Sequence, residues 1–234
     1  MTVDGIKQTL ADPVAAVAHA LDAYGPRPAW RGKLHLIAAV VAVPASALLL
    51  LRAEGTTARI AAAVYGLSLV GLFAVSASYH LTARTERAVK WMRRADHSMI
   101  FVLIAGTYTP ICLLVLPPAW GIPMLVTVWA VALIGASLKM LRLGTPGNGS
   151  VASWLYIVLG WAAVVVMPVL VTHLDRTQLV LLAVGGVIYT LGAVGLGRRW
   201  PDPRPMTFGY HEVWHSMTVL AGACHFLLVL GVVS

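Results

Sequence analysis

Apolar residues fill this chain in seven long blocks, separated by short stretches rich in Lys, Arg, Gly and Pro. The blocks cover about residues 33–51, 59–82, 97–116, 120–141, 151–172, 177–197 and 211–233. Each is close to the roughly 20 residues that cross a hydrocarbon core. Backbone groups in lipid must find partners within their own segment, so runs of this length predict helices. The pattern therefore predicts an all-α, polytopic membrane protein, a bundle of seven transmembrane helices. Pro44, Pro110, Pro123 and Pro168 fall within the blocks or near their ends. They predict local kinks and leave the span count intact, because neighbouring helices can satisfy the carbonyls they free. Pro117-Pro118 predicts a sharp turn between the third and fourth spans.

Residues 1–32 precede the first block and form a separate cytoplasmic segment in this reading. Within them, Leu10, Val14, Val17 and Leu21 recur at helical spacing, which fits a short helix lying on the membrane surface. The seven-helix domain is residues 33–234. Apolar residues make up 59% of the chain and mean hydropathy is +0.82, far above a soluble domain. The net charge of +8 does not indicate nucleic acid as a partner, because its Lys and Arg sit in short loops. Fourteen of the 17 lie in the N-terminal segment and in the loops after spans two, four and six. The positive-inside rule places that side, and the N-terminus, in the cytoplasm, with the C-terminus outside. The expected location is the cell inner (plasma) membrane, as a multi-pass protein. Cys112 and Cys224 lie inside apolar blocks and read as small buried hydrophobes. No internal repeat is evident, which weighs against an inverted-repeat transporter.

Against this background a few polar residues stand out. Ser76-x3-His80 ends the second block, Asp96-His97 opens the third, and His211-x3-His215 opens the last. Each i, i+4 pair lies on one helix face, about 6 Å apart along the axis. The charge rule alone brings these three segments to the cytoplasmic leaflet. Ionisable groups inside a span are costly and suggest function by default. Zinc accepts three imidazoles readily and keeps a fourth position for water. His211 and His215 supply two ligands from one helix face, and His80 can supply the third. Asp96 is then a carboxylate beside that water, with Ser76 one turn below His80. Taken singly, Asp96 also fits a helix N-cap and Ser76 a packing residue. Imidazole also suits iron, copper or nickel. His225 lies ten residues past His215 and about 15 Å deeper, fitting either a cavity wall or a hydrogen-bonded core histidine. The roles of His35 and His97 stay open. The segment Ala105–Pro110 reads as a packing kink first and a substrate lining second.

The ordered strings Ser76-Ala-Ser-Tyr-His80, Arg94-Ala-Asp96-His97-Ser-Met-Ile, Ala105-Gly-Thr-Tyr-Thr-Pro110, Phe208-Gly-Tyr-His211-Glu-Val-Trp-His215 and His225-Phe226 resemble the bacterial hemolysin III family, within the progestin and adipoQ receptor group. The resemblance covers about residues 33–234. It implies seven helices, a cytoplasmic N-terminus and a zinc ion near the cytoplasmic face. It further implies that His80, His211 and His215 bind the metal and that Asp96 and Ser76 lie beside the zinc-bound water. Eukaryotic members of the group are associated with ceramide hydrolysis, and bacterial members with haemolysis or membrane-lipid homeostasis. The first helix begins Trp30-Arg31-Gly32-Lys33-Leu34-His35 and lacks the Glu and Ser-His-Gly pattern of many bacterial members.

Three function classes follow. The first is a zinc-dependent hydrolase of a lipid amide, ceramidase-like, with Asp96 and Ser76 catalytic and membrane lipid as partner and substrate. The second is a pore, channel or transporter with structural zinc. The third is a sensor of membrane state.

Overall fold

The computed structural model describes residues 27–142 and 149–234, with the side chains of residues 142–154 outside the description. The surface helix expected within residues 6–24 lies outside the described residues. Eight α-helices are described: α1 Lys33–Arg52, α2 Gly55–Thr82, α3 Glu86–Pro110, α4 Pro118–Arg142, α5 Gly149–Gly160, α6 Met167–His173, α7 Arg176–Arg198 and α8 Tyr210–Val233. A five-residue π-helical turn, Ile111–Val115, extends α3, and a 3-10 stretch, Trp161–Val166, joins α5 to α6. These make seven helical segments long and apolar enough to cross a membrane, α5 and α6 together forming the fifth. No β-strand occurs among the described residues; Arg204 and Phe208 form an isolated bridge. The chain is a multi-pass membrane protein.

Most of the span ends fall within a few residues of the hydropathy pattern. The third does not. The polar stretch before Asp96 is the first part of α3, and only residues 83–85 separate it from α2. Thr85 starts it, its hydroxyl accepting the Ala88 N–H at 3.2 Å, and Glu86 follows at the positive end of the helix dipole. Arg87, Lys90 and Arg93 stay exposed on it.

The kink expected at Pro168 appears as the 3-10 stretch, which ends two residues before it. Pro168 has no N–H to offer the Val164 carbonyl, so the regular ladder cannot continue through it. Tyr108 of α3 pairs with backbone groups at the start of that stretch. Its hydroxyl donates to the Gly160 carbonyl at 3.0 Å and accepts the Ala163 N–H at 2.6 Å. The packing kink expected of Ala105–Pro110 is thus also a staple for the fifth span. Tyr108→Phe should leave both backbone groups unpaired within the fifth span and cost about 1–3 kcal/mol, a drop of several degrees in thermal midpoint in detergent.

α2 and α3 are the most buried spans, and α7 and its neighbours in the fifth span are the most exposed. Gly106 allows the close approach of α3 to α2: a Cβ there would stand 2.1 Å from Ser68 Oγ. α1 packs along both α2 and α8, and α8 also touches α2 and α3. That last set of contacts brings the three polar strings together.

Candidate metal centre

His80 sits near the end of α2, and His211 and His215 occupy the first turns of α8. One ring nitrogen from each lies within 4.8 Å of the other two. His80 and His215 are buried and His211 is half-buried. The rings are inclined to one another, with centroids 4.6–4.9 Å apart. Nε2 of His80 and Nε2 of His211 face each other at 3.3 Å. Two nitrogens on one tetrahedral zinc, each at about 2.0–2.1 Å, stand about 3.3–3.4 Å apart. The donor set fits a cation with three imidazoles and an open fourth position. Zinc is one of several imidazole-binding metals compatible with it.

Asp96 is not one of the three-residue group. Its carboxylate accepts from the Ser76 hydroxyl, which is buried one helical turn, about 6 Å, from His80. Asp96 lies ten residues inside α3, so it does not cap that helix; Thr85 does. His97 is outside the three-residue group as well; its Nδ1 lies 2.8 Å from the Arg93 carbonyl of its own helix and 3.6 Å from Asp96 Oδ2. His225 lies on the far reach of α8, with Nε2 3.4 Å from the Leu182 carbonyl, against Gly185.

The segment before α1 closes over the site, and sequence reasoning missed it. The Ala29 and Trp30 N–H groups donate to the Met206 and Thr207 carbonyls, both at 3.1 Å, tying this segment to the loop that leads into α8. Arg27 donates to the His80 carbonyl at 2.8 Å and also to the Ala83 carbonyl. Gly32 has φ 78°, and a Cβ there would stand 2.7 Å from the Cβ of His80. Only glycine takes that conformation and that contact without strain. Arg31 Nε meets Glu212 Oε1 at 2.5 Å, with Glu212 only 1% exposed.

Glu212 settles a second point. The string His211-Glu-Val-Trp-His215 matches the H-E-x-x-H pattern of zinc proteases, where the Glu is the general base. Here Glu212 accepts from Arg31 and, at 2.9 Å, from the Gly209 N–H at the start of its own helix. Its carboxylate is committed to holding the segment before α1 against α8. The sequence signal for this was the run of Arg and Gly just before the first span, which reads as topology until its partners are seen.

A cavity of about 250 Å³ lies between α2, α3, the fifth span, α7 and α8. Its walls run from Ile100 on α3 to Ile111 at the start of the π-helical turn, and from Trp214 to His225 on α8, about 16 Å in each case. They are mostly apolar, and Trp214 is the immediate neighbour of His215.

The sequence profile described as "Haemolysin-III related" matches residues 25–226. The chain is 31% identical over 199 residues to Hemolysin-3 of Bacillus cereus, spanning 84% of this chain and 87% of that one. It is 29% identical over 201 residues to the Hemolysin-3 homolog of Bacillus subtilis (strain 168), spanning 84% and 89%. It is 27% identical over 201 residues to the monocyte to macrophage differentiation factor of Homo sapiens, spanning 83% and 79%. Seven apolar helices, a buried histidine triad built from the second and last of them, and a profile match across most of the length all agree: this chain belongs to the haemolysin-III related family.

Proposed function

We propose that this protein is a zinc-dependent hydrolase that cleaves a lipid amide at the cytoplasmic face of the cell inner membrane. The observation that carries the reading is the 3.3 Å separation of the His80 and His211 nitrogens within a buried three-imidazole group. A zinc ion bound there supplies acidified water and polarises a carbonyl oxygen. His80, His211 and His215 would hold it. Asp96 takes the proton of the attacking water on a carboxylate oxygen and returns it to the departing amine. Ser76, by donating to Asp96, would hold that carboxylate in place. One amide and one water give a fatty acid and an amine.

The substrate class rests on the cavity. An apolar slot about 16 Å long, walled in part by Trp214, the residue before His215 in sequence, suits a single hydrocarbon chain. Among the described residues no Asp, Glu, Lys or Arg lines it, so it offers an ion little compensation for lost water, and the pore reading finds less support there. The N-terminal side is cytoplasmic in this reading because it carries most of the Lys and Arg.

The test is fatty-acid release from ceramide-like amides by the purified, zinc-loaded protein, with His80→Ala as background. Turnover well above that background is expected, and Asp96→Asn should lower it about 100-fold, as loss of a general base does. Equal rates for wild type and His80→Ala across a broad amide and ester panel would end the hydrolase reading.

A further inference from the structure

A fourth imidazole sits against the triad. His35, in the first turn of α1, is 3% exposed. Its ring is stacked on that of His215, with centroids 3.7 Å apart and planes 3° from parallel. Phe73 of α2 covers it at 5.1 Å. Both of its ring nitrogens are buried, and neither makes a hydrogen bond of regular geometry, although the ring lies near the His215 backbone. A neutral imidazole carries one donor and one acceptor, and buried groups of this kind are nearly always paired. The position is not an accident of a loose helix end. Gly32 against His80, Arg31 against Glu212, and the backbone bonds of Ala29 and Trp30 fix the start of α1 on α2 and α8.

His35 is not a fourth ligand, since it lies outside the group whose donor atoms converge. Parallel stacking explains why. The nitrogens of His35 lie in a plane parallel to that of His215 and no more than 3.7 Å from it. They cannot aim at a point in the plane of the His215 ring. They can reach an atom that stands off that plane, carried by whatever occupies the open position.

We propose that His35 hydrogen-bonds the molecule bound at the cation's fourth position, and that the site therefore selects ligands with two adjacent polar atoms: a carboxylate, or its hydroxamate analogue. One oxygen would meet the cation and the other His35. This rests on reading the triad as a metal site, and it extends that reading to the ligand. His35 is a positioning residue that sets which head groups are held.

The test uses detergent-purified full-length protein loaded with cobalt, whose visible spectrum reports a change of ligand. Acetohydroxamate offers two oxygens, and ethanethiol offers a single sulfur. His35→Phe keeps the stacked ring and removes both nitrogens; His35→Gln restores a polar partner. His35→Phe should retain one equivalent of cobalt, bind acetohydroxamate about tenfold more weakly than wild type, and bind ethanethiol with unchanged affinity. His35→Gln should recover part of the hydroxamate affinity. Wild-type affinity of His35→Phe for both ligands, or equal weakening for both, would overturn the proposal; the latter would make His35 a packing residue. Failure of the wild type to take up cobalt would overturn the metal reading itself, and this inference with it, a result separable from the others by metal content alone.

Discussion

Purified protein carrying His80→Ala, His211→Ala or His215→Ala is expected to hold less than about a tenth of the metal bound by the wild type. Loss of an outer-shell partner typically weakens a metal site about 10–100-fold, and loss of one of three direct ligands goes beyond that range. The three substitutions should be nearly equivalent in metal content, because each leaves two nitrogens where three converge within 4.8 Å. They should differ in stability. His80 and His215 are buried and each removal opens a void, whereas His211 is half-buried. Elemental analysis beside thermal unfolding separates the two effects. Substituting His97, whose ring nitrogen is held by the Arg93 carbonyl, should leave metal content near that of the wild type.

The second large effect is expected at the ion pair that locks the site shut. Arg31→Met leaves Glu212, 1% exposed, with its charge uncompensated by its partner at 2.5 Å. Breaking a buried pair from one side costs about 3–5 kcal/mol, because the remaining charge stays desolvated. For a chain of this size that corresponds to a fall of roughly 10 °C in the thermal midpoint. The cost arises from the stranded carboxylate, so neutralising it should reverse part of the loss. Arg31→Met with Glu212→Gln is therefore expected to be more stable than Arg31→Met alone. A glutamine can still accept the Gly209 N–H, so the start of α8 keeps its cap. If the double variant were the less stable of the two, Glu212 would owe its importance to something other than its charge.

The fold was readable from the chain because the seven apolar blocks match the membrane thickness, and hydropathy reports little else. Where it failed, at the start of α3, the reason is physical. The stretch from Glu86 to Asp96 is helical but polar, and hydropathy alone does not separate a solvated helix from a loop. Thr85 followed by Glu86 is a local start signal that does. The triad was legible because two of its members share one helix face and the charge asymmetry put the third on the same side. The contact between α2 and α8 was not, since nothing in one sequence fixes which spans are neighbours. His35 illustrates the same limit. On α1 it is one histidine near a span end, and its importance comes from a ring on the last helix, 180 residues away in sequence. The direction of Glu212 was hidden for a related reason: the H-E-x-x-H spacing is satisfied, but Arg31 holds the carboxylate in a salt bridge.

The central claim is that imidazoles from α2 and α8 share one cation. X-ray absorption at the zinc edge on the purified, metal-loaded protein tests it most directly. Three nitrogen neighbours at about 2.0–2.1 Å are expected, with the imidazole scattering pattern lost on His80→Ala. Sulfur neighbours at about 2.3 Å, or a spectrum unchanged by that substitution, would contradict it.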